Sequence, residues 1–268
     1  MKTVISASLY ERCLKHFANV SRHKFVVASS LPIPYFGDVD AYFGSNLRVV
    51  TAALNPSDIE FSNNVSRFDV ETGLSGAKGL EIALKNYFKI NPYKSWFRSF
   101  EPVLNGMGAT YGSKMISDKT NNNNNNKKIS TSLHLDMCSP VATTPTWSHL
   151  SDSEKNKLVP DGRAIFEELI VELKPHIVIS SVGWAHIQHW NSKFSSGRDW
   201  PLICEYTTSK TGAPLKNSLK VQYKSITIRN SREFLFINAT AANTPFGRFS
   251  TERKNEVGSK ILEYFSLL

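Results

Sequence analysis

Four apolar runs rich in β-branched residues, separated by stretches of helical period, limit what this chain can fold into more than any other feature. They are residues 47–54 (LRVVTAAL), 132–137 (SLHLDM), 176–182 (HIVISSV) and 234–238 (FLFIN). Strands covered on both faces read as near-continuous apolar runs, whereas strands with one wet face alternate. Helical spacing marks residues 9–20, 79–89 and 93–104, a segment starting after Pro160-Asp161 and ending at Leu173, the stretch after Gly183, and residues 252–262. Ser151 with Glu154 has the spacing of a capping box. Strands alternating with helices call for a parallel sheet with helices on both faces. The expected fold is therefore α/β, a three-layer α/β/α sandwich around a four-stranded parallel sheet. Residues 202–207 and 219–228 alternate like a peripheral hairpin. One domain spanning 1–268 is expected, with the asparagine-rich segment 121–128 as a flexible loop insertion, because such a tract has nothing to bury.

Charge narrows the partners. Lys and Arg number 32 against 23 Asp and Glu, and six of the nine excess positive charges fall in the last 76 residues. Such a surface suits a polyanion, most commonly nucleic acid, although a solvated basic face has the same composition. The three cysteines, Cys13, Cys138 and Cys204, are far apart, which excludes a four-cysteine cluster within one chain and fits a reducing cytoplasm. No apolar run approaches the roughly 20 residues that span a bilayer, and the first residues do not read as a secretion signal. The expectation is a cytoplasmic monomer with no membrane partner, no metal and no cofactor. His186 and His189 have ligand-like spacing but no acidic or cysteine partner near them in sequence.

In open α/β sheets ligands bind beyond the carboxyl ends of the strands, so the residues following each run carry the functional signal. They are Asn55-Pro56-Ser57 after the first run, Asp136 at the second, Gly183-Trp184 after the third, and Asn243-Thr244-Pro245-Phe246-Gly247-Arg248 after the fourth. Taken in order over residues 46–265, these resemble the uracil-DNA glycosylase superfamily. The first block, Ala53-Leu54-Asn55-Pro56-Ser57, is similar to the G-[IM]-N-P-G motif of its mismatch-specific and single-strand-selective branches. The last is similar to N-P-S-G-L-S-R with one position shifted.

The resemblance implies hydrolysis of an N-glycosidic bond in DNA, double- or single-stranded, without metal or cofactor. Asn55 would orient water through its amide oxygen, and Asn243 would donate to the O2 of the base. Phe68, thirteen residues after Asn55, matches the ring that stacks on the base, with Phe61 as the fallback. Ser57 stands where the uracil-specific branch has a bulky tyrosine, which leaves room at the pyrimidine C5. Asp136 stands where that branch has asparagine. A carboxylate accepts from the 4-amino group of cytosine but opposes the O4 of uracil. Both departures favour a C5-modified cytosine, of hydroxymethyl or glucosylated type, as in defence against phage. Phe246 is expected as the wedge that fills the emptied stack, with Arg248, Arg253 and Lys254 gripping the backbone. Thr143–Trp147 with Trp184 could line a space for a bulky substituent.

Each of these residues has a plainer reading: turn residues for Asn55 and Asn243, a loop cap for Asp136, core rings for Phe61, Phe68 and Phe246. A uracil or G·T/U mismatch glycosylase, and a catalytically silent DNA-binding module, are the alternatives. No lysine lies in either motif, so no lyase step is expected.

Overall fold

The structure is a computed structural model that describes residues 4–61, 67–68, 75–112, 115, 129–194, 200–209, 211–229 and 231–266. The segment 121–128, expected as a loop insertion, lies outside the described residues. Strands form at all four apolar runs: β1 (Val49–Ala53), β4 (Leu133–Asp136), β5 (Ile177–Ser180) and β8 (Phe234–Ala239). Two short strands, β2 (Ala109–Thr110) and β3 (Ser130–Thr131), pair in parallel as a separate ribbon.

The class is mixed α/β, with one six-stranded, mostly parallel sheet in the order β4-β1-β5-β8-β7-β6. The expected hairpin, β6 (Leu202–Thr208) and β7 (Pro214–Ile226), forms at the end of the sheet and is part of it. β7 runs antiparallel along β8 from Val221↔Ala239 to Ile226↔Phe234, and β6 pairs antiparallel with β7. The four-stranded sheet expected from sequence is thus extended at the β8 edge, where backbone donors and acceptors would otherwise be left without strand partners.

The chain divides into two compact units, each assembled from separate segments. Unit 1 comprises Met1–Gly44, Ala52–Tyr93 and Leu133–Lys174. Here α1 (Ala7–Val20) packs against α3 (Gly76–Ile90) and α6 (Asp152–Leu173). A second apolar cluster gathers Val20, Phe25, Val26, Cys138, Val141, Trp147, Leu150 and Leu158. The short α2 (Val39–Phe43) is capped by Asp38, whose Oδ1 accepts the Ala41 N–H at 3.1 Å.

The capping box at Ser151 is present: Glu154 N–H donates to Ser151 Oγ at 3.3 Å, and Ser151 N–H to Glu154 Oε2 at 2.8 Å. α6 therefore begins at Asp152 and continues through Pro160, not after it as the sequence suggested. Pro160 is exposed, so the carbonyl its missing N–H leaves free can be hydrated. The stripe of Ile165, Phe166, Leu169, Ile170 and Leu173 holds the rest of the helix down.

Unit 2 comprises Ser45–Thr51, Lys94–Ser132 and Pro175–Leu268. The single helix expected over 93–104 is two, α4 (Lys94–Phe97) and α5 (Glu101–Gly106), because Pro102 is tolerated only in the first turn of a helix. α7 (Trp184–Phe194) follows β5. α8 (Thr251–Ser266) closes the unit by crossing α5 at glycines: a Cβ on Gly258 would sit 2.0 Å from Val103 O, and one on Gly106 2.1 Å from Asn255 O. No helix among the described residues is long and apolar enough to cross a membrane.

Candidate functional site

Unit 1 brings together Asn55, Ser57, Phe61, Phe68 and Asp136. The backbone does this directly. Ala53 O accepts the Met137 N–H at 2.8 Å, and Leu54 O accepts the N–H groups of Cys138 and Ser139 at 2.9 and 3.2 Å. The chain after β1 is thereby tied to the chain after β4, and Ser57 forms a bridge with Thr143.

Asn55 is half-buried, and its amide has one orientation open to it. Nδ2 faces Pro56 O at 2.8 Å, Thr143 Oγ1 at 2.9 Å and Val141 O at 3.3 Å. Two of these are carbonyls, which only accept, so the NH2 end must point there. Oδ1 accepts nothing from the described residues. A turn-forming asparagine would turn its oxygen onto nearby N–H groups; this one has spent its donors and kept its acceptor. The Ser57 hydroxyl accepts the Ile59 N–H at 3.2 Å and adds no bulk beyond its own small side chain.

Asp136 is 5 % exposed and does not cap the following loop. That role belongs to Ser139, whose Oγ accepts the Val141 N–H at 3.1 Å. His134, two residues earlier on the same face of β4, places Nε2 3.7 Å from Asp136 Oδ1. That is ion-pair range but too long for a hydrogen bond, and Asp136 Oδ1 is buried with no hydrogen-bond partner among the described residues. Burial raises the carboxyl pKa above its ordinary value, with His134 opposing the rise.

A second buried carboxyl was not legible in the sequence. Glu60, on the 3₁₀ turn Asp58–Phe61, is 5 % exposed and accepts the Tyr87 hydroxyl at 2.6 Å. Arg67 Nε lies 3.8 Å away. Burial pushes the Glu60 pKa up to about 7; Tyr87 and Arg67 oppose the rise and Asp136 adds to it. Aromatic rings close this region. Phe61 stacks on Phe68 with centroids 5.4 Å apart and planes 15° from parallel. Tyr87 meets Phe68 at 5.1 Å, and Phe36 lies 6.4 Å from Phe68 and 5.6 Å from His134. Phe61 thus covers one face of Phe68.

The remaining candidates belong to unit 2, and several are corrected there. Asn243 is exposed and engages no described residue. Phe246 is not a wedge: it is wholly buried, with Phe100 at 6.0 Å and Phe249 at 5.4 Å, and its N–H donates to Ser181 Oγ at 3.0 Å. Its φ of 52° turns the ring inward, a conformation that packing must hold in place. Lys254 is likewise buried, its Nζ on Ser99 O at 3.1 Å, and desolvation lowers its pKa. Arg253 spends both guanidinium nitrogens on Thr208 O and Ser209 O, at 2.7 and 3.1 Å, and lies over the Tyr206 ring. These two are structural ties, not backbone grips. Arg248 stays exposed, with one bond to Asn217 O at 3.3 Å. Trp147, expected to line a substituent pocket, sits in the apolar cluster of unit 1. Trp184 in unit 2 is half-exposed, against Trp200 at 5.2 Å.

Among the described residues no group of three His, Cys, Asp or Glu could hold a metal ion. The chain matches no protein-family model, no curated protein and no solved structure.

Proposed function

We propose that this protein is a monofunctional DNA glycosylase that removes a cytosine-type base, one with a 4-amino group and room for a C5 substituent, and leaves an abasic site. The observation that carries the reading is the Asn55 amide, whose NH2 is held by three acceptors while Oδ1 is left to accept from a ligand. In the reaction a water donates one hydrogen bond to Oδ1 and adds its oxygen to C1′. The C1′–N1 bond breaks, its electron pair leaves with the base, and the proton lost by water ends on the released base. The sugar passes through an oxocarbenium-like state, so a fixed neutral acceptor beside the water acts where the charge develops.

Asp136 supports the identity of the base. A carboxylate oxygen without a hydrogen-bond partner among the described residues is matched by the amino group of cytosine and mismatched by the O4 of uracil. The finer architecture, three layers around the parallel strands, is part of the same proposal.

Abasic-site formation on DNAs carrying uracil, cytosine and C5-modified cytosines is the deciding assay. Asn55→Ala should lower base release about a hundredfold or more while DNA affinity survives, because water placement acts only in the transition state. Equal loss of binding and turnover would make Asn55 structural, and binding without cleavage of any substrate by the wild type would favour the silent module. One observation favours uracil as a second substrate: with its pKa raised by burial, a protonated Asp136 could donate to O4. Uracil release should then rise as pH falls, and cytosine-type release should not.

A further inference from the structure

Arg48, His176 and Arg232, which stand just before β1, β5 and β8, meet in unit 2, and none of them is assigned to base excision. His176 Nδ1 accepts the backbone N–H of Arg48 at 3.1 Å, so a neutral ring carries its proton on Nε2. Two guanidinium groups are aimed at that same Nε2, Arg48 Nη2 at 3.4 Å and Arg232 Nη1 at 3.2 Å. Three donors therefore converge where there is no acceptor. Arg48 is half-buried and Arg232 is exposed at the mouth of the cluster, and donors that face one another in this way make a place shaped for an anion.

No described carboxylate neutralises these charges. Among the described residues neither Arg48 nor Arg232 has a carboxylate within ion-pair distance. Glu233 lines the adjoining cavity but pairs with neither arginine. That cavity, of about 230 Å³, is lined by the polar His176, Ser225, Arg232 and Glu233 and the apolar Phe234, Leu235 and Phe265. The His176 ring lies 5.8 Å from that of Phe265, with planes 28° apart. The space exceeds that of a single tetrahedral anion and includes an apolar wall. It suits an anion joined to an organic group.

We propose that Arg48, His176 and Arg232 form a phosphate-binding site, and that its ligand is a phosphate carrying an organic substituent seated against Phe265. Two arginines present planar forks of donors that match phosphate oxygens, and the Nε2–H of His176 supplies a further bond. The phosphate belongs either to a nucleic acid strand or to a small phosphorylated compound.

The test compares the wild type with Arg232→Ala and Arg48→Ala, using calorimetry with inorganic phosphate and anisotropy with a labelled single-stranded oligonucleotide, with and without a 5′-phosphate. Each substitution should weaken binding of at least one probe by about tenfold. Loss with both oligonucleotides assigns the site to internal phosphodiesters, and the log–log salt slope should then fall by about one per arginine removed. Loss confined to the 5′-phosphorylated strand assigns it to a strand end, and loss confined to inorganic phosphate assigns it to a small phosphorylated compound. Arg232→Lys should fall between wild type and alanine, since it keeps the charge but not the fork. Unchanged affinity for all three probes in folded Arg232→Ala and Arg48→Ala, checked by circular dichroism, overturns the proposal.

Discussion

Replacing Asp136 with asparagine should make the protein more stable at neutral pH while spoiling its choice of base. The carboxyl is buried, Oδ1 makes no hydrogen bond among the described residues, and His134 Nε2 lies 3.7 Å away. An unpaired buried acceptor costs about 1–3 kcal/mol. Asparagine has nearly the same shape and keeps an acceptor oxygen but carries no charge, so the variant sheds the cost of burying an ionised carboxylate and should be the more stable protein at pH 7. The dependence on pH follows from the direction of the shift. Burial raises the folded-state pKa above the unfolded one, so the native state holds its proton more tightly. The penalty is then absent below the unfolded pKa, near 4, and grows as pH rises toward the folded value. Urea unfolding of both proteins across acid to neutral pH measures the difference, which should shrink on the acid side. A variant less stable at pH 7, or a gap independent of pH, would mean that the carboxylate has a favourable partner in the native protein. Its retention for a ligand would then lose its basis. In the abasic-site assay the same variant should move preference from cytosine-type bases toward uracil, since the new NH2 can donate to O4.

Glu60→Gln should flatten the pH dependence of stability. With its pKa pushed from 4.5 up to about 7 mainly by burial, the wild-type carboxyl withdraws roughly 3 kcal/mol as pH rises through that window, and the amide withdraws none. Equal slopes for the two proteins in denaturant titrations would refute this. Phe246→Ala should cost about 3–5 kcal/mol of unfolding free energy, the loss typical of a fully buried ring, and calorimetric scans check it. A near-neutral effect on stability would return this ring to the surface. Gly258→Ala should also destabilise, by about 1–3 kcal/mol, because its Cβ would fall 2.0 Å from the Val103 carbonyl and force α8 off α5. A fully stable variant would mean that this crossing is looser than described.

The repertoire of elements was legible in the chain because it rests on local rules. Near-continuous apolar runs have only a few ways to be covered, and all four became strands of the sheet. The Ser151–Glu154 box needs nothing beyond its own turn, and it set the start of α6 correctly even where Pro160 suggested a later one. Asn55 and Asp136 stand at the carboxyl ends of β1 and β4, a placement that could be read from the strand-like runs alone.

What the sequence could not decide is which way side chains turn and what meets them, because those depend on segments distant along the chain. Phe246 and Arg248 are two residues apart in one loop; only the arrival of Phe100 and Ser181 buries the first and leaves the second exposed. Lys254 counted as surface charge until Ser99 O received it. Glu60 carries no signal in the sequence, and it is buried where Tyr87 of α3 meets it. The Asn55 amide is oriented by Val141 and Thr143, more than eighty positions away. Arg48, His176 and Arg232 carry no shared motif, and they converge because each stands just before a strand of one sheet. Period and composition are summed over neighbours in the chain, so they determined where strands and helices lie. Burial, pairing and the direction of a donor are set by neighbours in space, and those the tertiary structure alone supplied.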